Sequence, residues 1–177
     1  MKKSARSKKQ TPTNLSTAPI GGGRGTRSLL FFIPAMWLGL IIGISLIEAP
    51  LKFTAPGITI PLGLGIGRRV FFAMNIVEVI FAVILIIALV RLLGRPTRHK
   101  LWGLGIAISI VLAIKILVIR PILNIRTDAV LSGDFDGGST THYFYIAADA
   151  ALIILLLTTM VVVTRHLLPK NPQAALN

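Results

Sequence analysis

The sequence predicts an all-α integral membrane protein, a bundle of four transmembrane helices with both termini in the cytoplasm. Four apolar runs of about 20 residues, each long enough to cross a hydrocarbon core, are separated by more polar segments. Hydrophobic residues make up 54% of the chain and charged residues 14%, with a mean hydropathy of +0.79, which exceeds what a soluble core requires. Thirteen Lys and Arg residues flank the runs on the side of the termini and five on the other side, and basic flanks stay cytoplasmic.

Residues 1–28 are predicted to form a disordered basic tail. Five of the first nine residues are Lys or Arg, and the polar and Gly-rich stretch that follows has too few apolar side chains to offset the entropy of ordering. Such a tail either sets the topology or binds anionic lipid, and we favour the first interpretation. Because no aromatic residue lies among its charges to stack on bases, no nucleic-acid partner is expected.

The transmembrane domain is predicted to cover residues 29–166, and a short cytoplasmic tail, residues 167–177, follows it. Small residues within the runs let a neighbouring helix approach closely, as at Gly39 with Gly43 and at Gly105. The first run is too long for a cleaved signal peptide and is interpreted as a retained helix. The four predicted spans are residues 29–47, 70–90, 101–119 and 143–163.

Three of the spans each carry one charged residue: Glu78, Lys115 and Asp149. Each such charge costs about 2.5–3.5 kcal/mol near a helix centre on insertion scales, so it needs a partner or a function. With the predicted topology, all three lie within about 12 Å of the outer boundary at the helical rise. We therefore predict an intramembrane polar network in the outer half of the bilayer, with Lys115 paired to Asp149.

Helical spacing extends this network. Asn75 lies three residues before Glu78, and His142, Tyr145 and Asp149 share one helix face, so their side chains are predicted to join it. Four charged residues near the outer ends of the spans are predicted as a possible rim: Glu48, Arg68, Arg69 and Arg120. Apolar residues deeper in spans 2 and 4 argue against a continuous pore.

Several classes of site are disfavoured. The chain has no Cys, which removes disulfides, thiolate metal sites and thiol redox catalysis. The three His residues are scattered, so neither a metal site nor any cofactor is predicted. No nucleophile lies near a base within the spans, so an enzyme is not expected.

A resemblance rests on a small set of residues: Trp37 to Gly39, Gly67 with Arg68, Phe71 with Phe72, and His142, Tyr145 and Asp149. In these positions the chain resembles uncharacterised small four-span bacterial membrane proteins, some of them loosely similar to copper-resistance membrane proteins. The resemblance implies a four-helix bundle with an outward-facing polar site and no established activity. The four Met residues do not group as a copper site would require.

Two functions fit these observations. The first is a non-enzymatic accessory or assembly protein of the bacterial cytoplasmic membrane, which packs against another membrane protein or a second copy of itself and uses its network for internal specificity. The alternative is a small transporter or proton-coupled carrier in which Glu78, Lys115 and Asp149 bind the transported solute or proton. In both, the lipid bilayer is the principal partner.

Overall fold

The computed structural model describes residues 24–94, 100–133 and 140–167, and this part of the chain is entirely helical apart from short turns. Four helical segments are long and apolar enough to cross a membrane, so the predicted all-α, four-span class is confirmed. These spans 1 to 4 are Gly25–Thr54, Ile60–Leu93, Lys100–Leu131 and His142–Arg165.

The spans are built from six α-helices and three irregular helical segments. Span 1 contains α1 and the short α2, span 2 is α3, span 3 contains α4 and α5, and span 4 lies within α6. The α-helices are α1 (Arg24–Ile41), α2 (Ala49–Leu51), α3 (Ile60–Leu93), α4 (Lys100–Ile114), α5 (Arg120–Leu131) and α6 (Thr140–Leu167). A π-helical segment, Ile42–Glu48, and a 3-10 turn, Lys52–Thr54, flank α2, and a second π-helical segment, Lys115–Ile119, joins α4 to α5.

The spans pack as a ring in the order 1, 2, 3, 4. The main contacts are α1 with α3 and α6, and α4 with α3 and α6. Short connections make neighbouring spans antiparallel. Spans 1 and 3 therefore end, and spans 2 and 4 begin, at one end of the bundle, which we call the distal end. The opposite end, which holds Arg24 and Leu167, is the proximal end.

Apolar side chains fill the proximal half of the bundle. Leu85 and Leu89 of α3 belong to the same buried cluster as Leu152 and Leu156 of α6, all with at most 1% of their surface exposed. Large apolar residues are more numerous on the outside than in this core, for example Ile154 at 64% exposure. Helices that are apolar on every side are expected in lipid, where both bundle and solvent are hydrocarbon.

Spans 2 and 3 extend beyond the residues predicted for them. α3 begins at Ile60, ten residues before residue 70, because the Thr59 hydroxyl accepts a hydrogen bond from the Leu62 backbone N–H at 3.4 Å and Pro61 fits the first turn. In span 3, α5 continues to Leu131, through residues predicted to form a connection. The distal ends of these helices form the walls of a cavity.

The predicted tails lie mostly outside the described residues. α1 begins at Arg24, so the last residues of the predicted tail, residues 1–28, are helical. Residues 1–23 and 168–177 lie outside the described part of the chain, so the disorder predicted for the first segment and the cytoplasmic tail predicted for the second stay predictions.

Both π-helical segments lie next to a proline, which gives them a physical cause. Pro50 and Pro121 lack the backbone N–H of a regular helix, and each ring repels the carbonyl four residues earlier. Those carbonyls belong to Leu46 and Leu117, which lie inside Ile42–Glu48 and Lys115–Ile119 respectively. The chain accommodates each proline by widening the preceding turn. Spans 1 and 3 are thus widened at the distal end.

The small-residue positions differ in how the bundle uses them. A Cβ on Gly105 would lie 2.6 Å from Leu89 Cδ1, so this glycine permits the predicted close approach of α4 and α3. No atom lies within 4 Å of a Cβ built on Gly39 or Gly43. The described helices of this chain therefore do not pack against that face of span 1.

Candidate functional site: a buried charge network beneath a basic cavity

Lys115 is the centre of a charge network that lies below the distal end. Its Nζ donates hydrogen bonds to Glu78 Oε1 and Oε2 at 3.0 and 2.9 Å, and it also contacts Asp149 Oδ1. Lys115 and Glu78 are 0% exposed and Asp149 is 2% exposed. One ammonium group, at the first residue of a π-helical segment, thus joins spans 2, 3 and 4.

Trp37 brings span 1 into the same network. Its Nε1 donates a hydrogen bond of 3.1 Å to Glu78 Oε1, and its side chain is fully buried. We did not predict this contact from the sequence. The available signal was a Trp in the middle of an apolar run, because a buried indole N–H needs an acceptor and the spans offer few.

The network contains two carboxylates for one ammonium. Asp149 Oδ2 is buried and makes no hydrogen bond within the described residues. With all three side chains ionised, Glu78, Lys115 and Asp149 together carry one negative charge. A buried charge of this kind is expensive unless it is paired, so the network is either a specificity device or a site for a cation or proton.

Tyr145 and Phe71 form an aromatic layer above Lys115. The Tyr145 ring lies over Lys115 Nζ, 4.6 Å from ring centroid to nitrogen, and packs edge-on against Phe71 at 5.1 Å. The Tyr145 hydroxyl donates a hydrogen bond of 3.0 Å to Asn75 Oδ1. On the other side of this layer, Lys52 Nζ lies 5.4 Å from the Phe71 ring. Two rings therefore separate a buried cation from a second cation nearer the distal end.

A cavity of about 400 Å³ opens on the distal side of this aromatic layer. All four spans contribute to its wall, and most of the lining is apolar. Ser45 and Leu46 come from the widened turn of span 1, while Gly63 and Gly67 of α3 leave room for neighbouring side chains. The charged or basic residues of the lining are Lys52, Arg68, Arg120 and His142.

The structure separates the predicted site residues into two groups. Five are buried together: Asn75, Glu78, Lys115, Tyr145 and Asp149. The sixth, His142, is exposed and lies on the cavity wall rather than within the buried group.

The predicted rim residues lie around the cavity. Glu48 accepts a hydrogen bond of 3.4 Å from Lys52, and Arg68 forms an ion pair with Asp128 at a partly exposed position. Arg120 lies over the Phe72 ring, with its Cζ 4.5 Å from the centroid. The fourth, Arg69, is exposed and lines an adjoining, more open recess that Arg68, Phe72 and Arg120 also line.

No protein-family model, curated protein sequence or solved structure matches the chain. The resemblance to four-span bacterial membrane proteins thus rests on the residues named for it alone. Within the described residues, no three His, Asp or Glu side chains are grouped so that they could hold a metal ion.

Proposed function

We propose that this is a non-enzymatic membrane protein that binds an amphipathic small molecule in its distal cavity. The observation that carries the proposal is the cavity itself, with a volume of about 400 Å³, a mostly apolar wall and a few basic groups. Ligand sites in proteins share these properties of size and lining. This proposal shares with the accessory or assembly role predicted from the sequence only that no chemical step is assigned; packing against another membrane protein or a second copy stays a prediction.

In this proposal the charge network fixes the positions of the spans that form the cavity. Lys115, Glu78, Asp149 and Trp37 connect all four spans directly beneath the aromatic layer. In lipid, apolar packing alone distinguishes poorly between helix registers, because lipid tails are as apolar as Leu. A connected polar set with one favoured arrangement fixes the register, and with it the shape of the cavity.

The apolar core supports binding from one face rather than free passage through the bundle. Below the network, Leu85, Leu152 and Leu156 are buried in contact with other apolar residues. A hydrated path for a polar solute needs polar groups at that depth. The described residues place little there besides Thr159, whose hydroxyl donates to the Leu155 carbonyl at 2.8 Å.

The asymmetric distribution of Lys and Arg indicates on which side of the membrane the cavity opens. Lys and Arg are concentrated at the proximal end and its flanking segments, so we assign that end to the cytoplasm and the cavity to the outer face of a bacterial cytoplasmic membrane. A reporter protein that is active only in the cytoplasm should be active when it is fused after Asn177. Activity of an extracytoplasmic reporter at that position would reverse the assignment.

A second candidate is a small proton-coupled carrier, and the excess carboxylate of the network favours it. Asp149 Oδ2 has no partner within the described residues, and Tyr145 and Phe71 are the layer between it and the cavity. In a carrier, protonation of the network would be coupled to opening of this layer. Proton uptake that accompanies ligand movement in proteoliposomes, and that Asp149→Asn abolishes, would favour the carrier. Binding without such movement would favour the first proposal.

The binding proposal is tested with three diazirine-tagged probes that share an octyl chain and differ in head group. The probes are octyl phosphate, octyl glucoside and octyltrimethylammonium, and the full-length protein is held in phosphatidylcholine nanodiscs. We expect at least one probe to crosslink to peptides that line the cavity. Ala49→Trp, which fills the cavity, should abolish that labelling. The matched control is Ala73→Trp, at an exposed residue outside the cavity lining, and it should leave the labelling unchanged. Uniform labelling of lipid-facing peptides by all three probes would contradict a binding cavity.

A further inference from the structure

The charges on the cavity wall are of one sign. Lys52, Arg68 and Arg120 line it, and among the residues that the structure describes no Asp or Glu does. The two nearest carboxylates that pair with these groups, Glu48 and Asp128, lie outside the lining. A concave, mostly apolar surface that presents cations attracts an anion, because its low-dielectric wall screens the charge poorly.

The three cations differ in how completely they are paired. Arg68 has an ion pair with Asp128 through both guanidinium nitrogens. Lys52 has one carboxylate contact, at 3.4 Å, which is long for a charged pair. Arg120 lies over the Phe72 ring, and no carboxylate in the described ranges forms an ion pair with it. Lys52 and Arg120 therefore retain the capacity to bind an added anion.

Gly67 leaves room for the Lys52 ammonium group. A Cβ at this position would lie 2.7 Å from Lys52 Nζ and 3.3 Å from its Cε, so the absent side chain is the space that the ammonium occupies. The Lys52 side chain is 11% exposed, and its Nζ also lies near two rings, 5.7 Å from Phe53 and 5.4 Å from Phe71. A cation held in such a place, with one long ion pair, is stabilised by any anion that reaches it.

The remainder of the wall suits a hydrocarbon chain. Leu46, Leu64 and Ile146 line the cavity beside Phe53 and Leu123. A ligand that satisfied only the cations would leave this apolar surface in contact with a polar group or with water. A purely apolar ligand would leave Lys52 with only its long ion pair and Arg120 without an ion pair to any carboxylate of the described ranges. The lining as a whole therefore favours a molecule with both parts.

We propose that the distal cavity binds an anionic amphiphile, whose phosphate or carboxylate head group contacts Lys52 and Arg120 and whose apolar chain lies along Leu46, Leu64 and Ile146. This inference rests on the proposed function, since it names the class of ligand for the same cavity. The shared chemistry has two sources: an anionic membrane lipid of the same leaflet, or an amphipathic anion from the aqueous phase.

The three octyl probes test the sign of the charge. In wild-type protein, octyl phosphate should label the cavity peptides about tenfold or more above octyltrimethylammonium. The phosphate gains a charge-assisted contact with the cations of the cavity, whereas the trimethylammonium group is repelled by them. Octyl glucoside should lie between them. Equal labelling by all three probes at the cavity would overturn the anion inference while leaving the binding proposal standing. Absence of specific labelling by any probe would remove both.

Variants of Lys52 and Gly67 test whether Lys52 contacts the anionic head group. Lys52→Met should remove most of the preference for octyl phosphate, whereas Lys100→Met, the same change at an exposed residue of the proximal end, should not. Gly67→Ala should weaken octyl phosphate labelling with little loss of folded protein, because its Cβ displaces the flexible end of Lys52 rather than backbone. Gly65→Ala is its matched control, since a Cβ there has nothing within 4 Å. An unchanged preference in both Lys52→Met and Gly67→Ala would contradict the assigned contact.

A final arm identifies the source of the anion. The octyl phosphate labelling is repeated in nanodiscs that contain phosphatidylglycerol in place of part of the phosphatidylcholine. Loss of labelling shows that an anionic lipid head group competes for Lys52 and Arg120, so the membrane supplies the ligand. Unchanged labelling shows that the phosphatidylglycerol head group does not compete, which favours an amphiphile from the aqueous phase. Either result supports the anion site and assigns its ligand.

Discussion

The two halves of this bundle are held together by different forces. In the proximal half, the spans meet through apolar side chains such as Leu89 and Leu156, which gain dispersion contacts and little hydrophobic free energy, because lipid is as apolar as the core. At the middle, where the distal half begins, the spans meet through Lys115 and its hydrogen-bond partners, which have few alternative arrangements. The comparison indicates that cohesion and specificity are separated along the membrane normal, and that the cavity lies on the specific half.

The largest expected effect is on the network. Lys115→Ala leaves two buried carboxylates without their cation, and breaking a buried ion pair costs about 3–5 kcal/mol in soluble proteins, with a lower value expected in a membrane. The free energy of unfolding in mixed micelles should fall accordingly. Asp149→Asn in the Lys115→Ala background should recover part of the loss, because it removes one stranded charge.

The double-mutant cycle of Lys115→Ala and Asp149→Asn measures this coupling directly. If the two side chains are in contact, the interaction free energy should differ from zero by clearly more than the experimental error. Strictly additive single-mutant effects would show that the two residues do not interact, and the comparison between the two halves would then lose its basis.

A smaller effect is expected in the apolar half. Leu152→Ala removes a fully buried side chain, and such changes cost about 2–5 kcal/mol in water-soluble cores, where both transfer and cavity contribute. Only the packing part applies fully in lipid, so we expect a loss near or below the bottom of that range. Ile154→Ala, at a 64% exposed position of the same helix, is the control and should change the free energy of unfolding little. Equal losses at both positions would mean that α6 packs differently.

The sequence was sufficient to predict the four spans and the meeting of Glu78, Lys115 and Asp149, because long apolar runs and isolated charges in hydrocarbon have few physical explanations. The cavity was not predictable in the same way. It depends on where α3 and α5 extend beyond the most apolar residues, and on the wide turns that Pro50 and Pro121 impose. Hydropathy does not record such features, although an X-Pro pair near the end of an apolar run is a local signal for them.

Trp37 was missed for a related reason: in an apolar run it resembles any large hydrophobic residue until its N–H is considered. Trp37→Phe retains the ring volume in part and removes the donor to Glu78 Oε1, which keeps its bond to Lys115. We expect a loss of about 1 kcal/mol, between the average of about 0.6 and the maximum of about 1.7 kcal/mol measured for hydrogen bonds between membrane helices. The thermal unfolding midpoint in detergent is the measurement. No change would mean that span 1 joins the network by packing alone.

The smallest effect distinguishes the two contributions of Tyr145 to the aromatic layer. Tyr145→Phe removes the hydrogen bond to Asn75 Oδ1 and keeps the ring over Lys115 Nζ, so the loss should be about 0.6 kcal/mol, the average for such bonds in membranes. Tyr145→Leu also removes the cation–π contact, which contributes roughly 2 kcal/mol when it is desolvated, and it should be the more harmful of the two. Unfolding of both variants in the same mixed micelles gives the two contributions by difference. If Tyr145→Phe proves as damaging as Tyr145→Leu, the hydroxyl rather than the ring is the main link between the aromatic layer and the network beneath it.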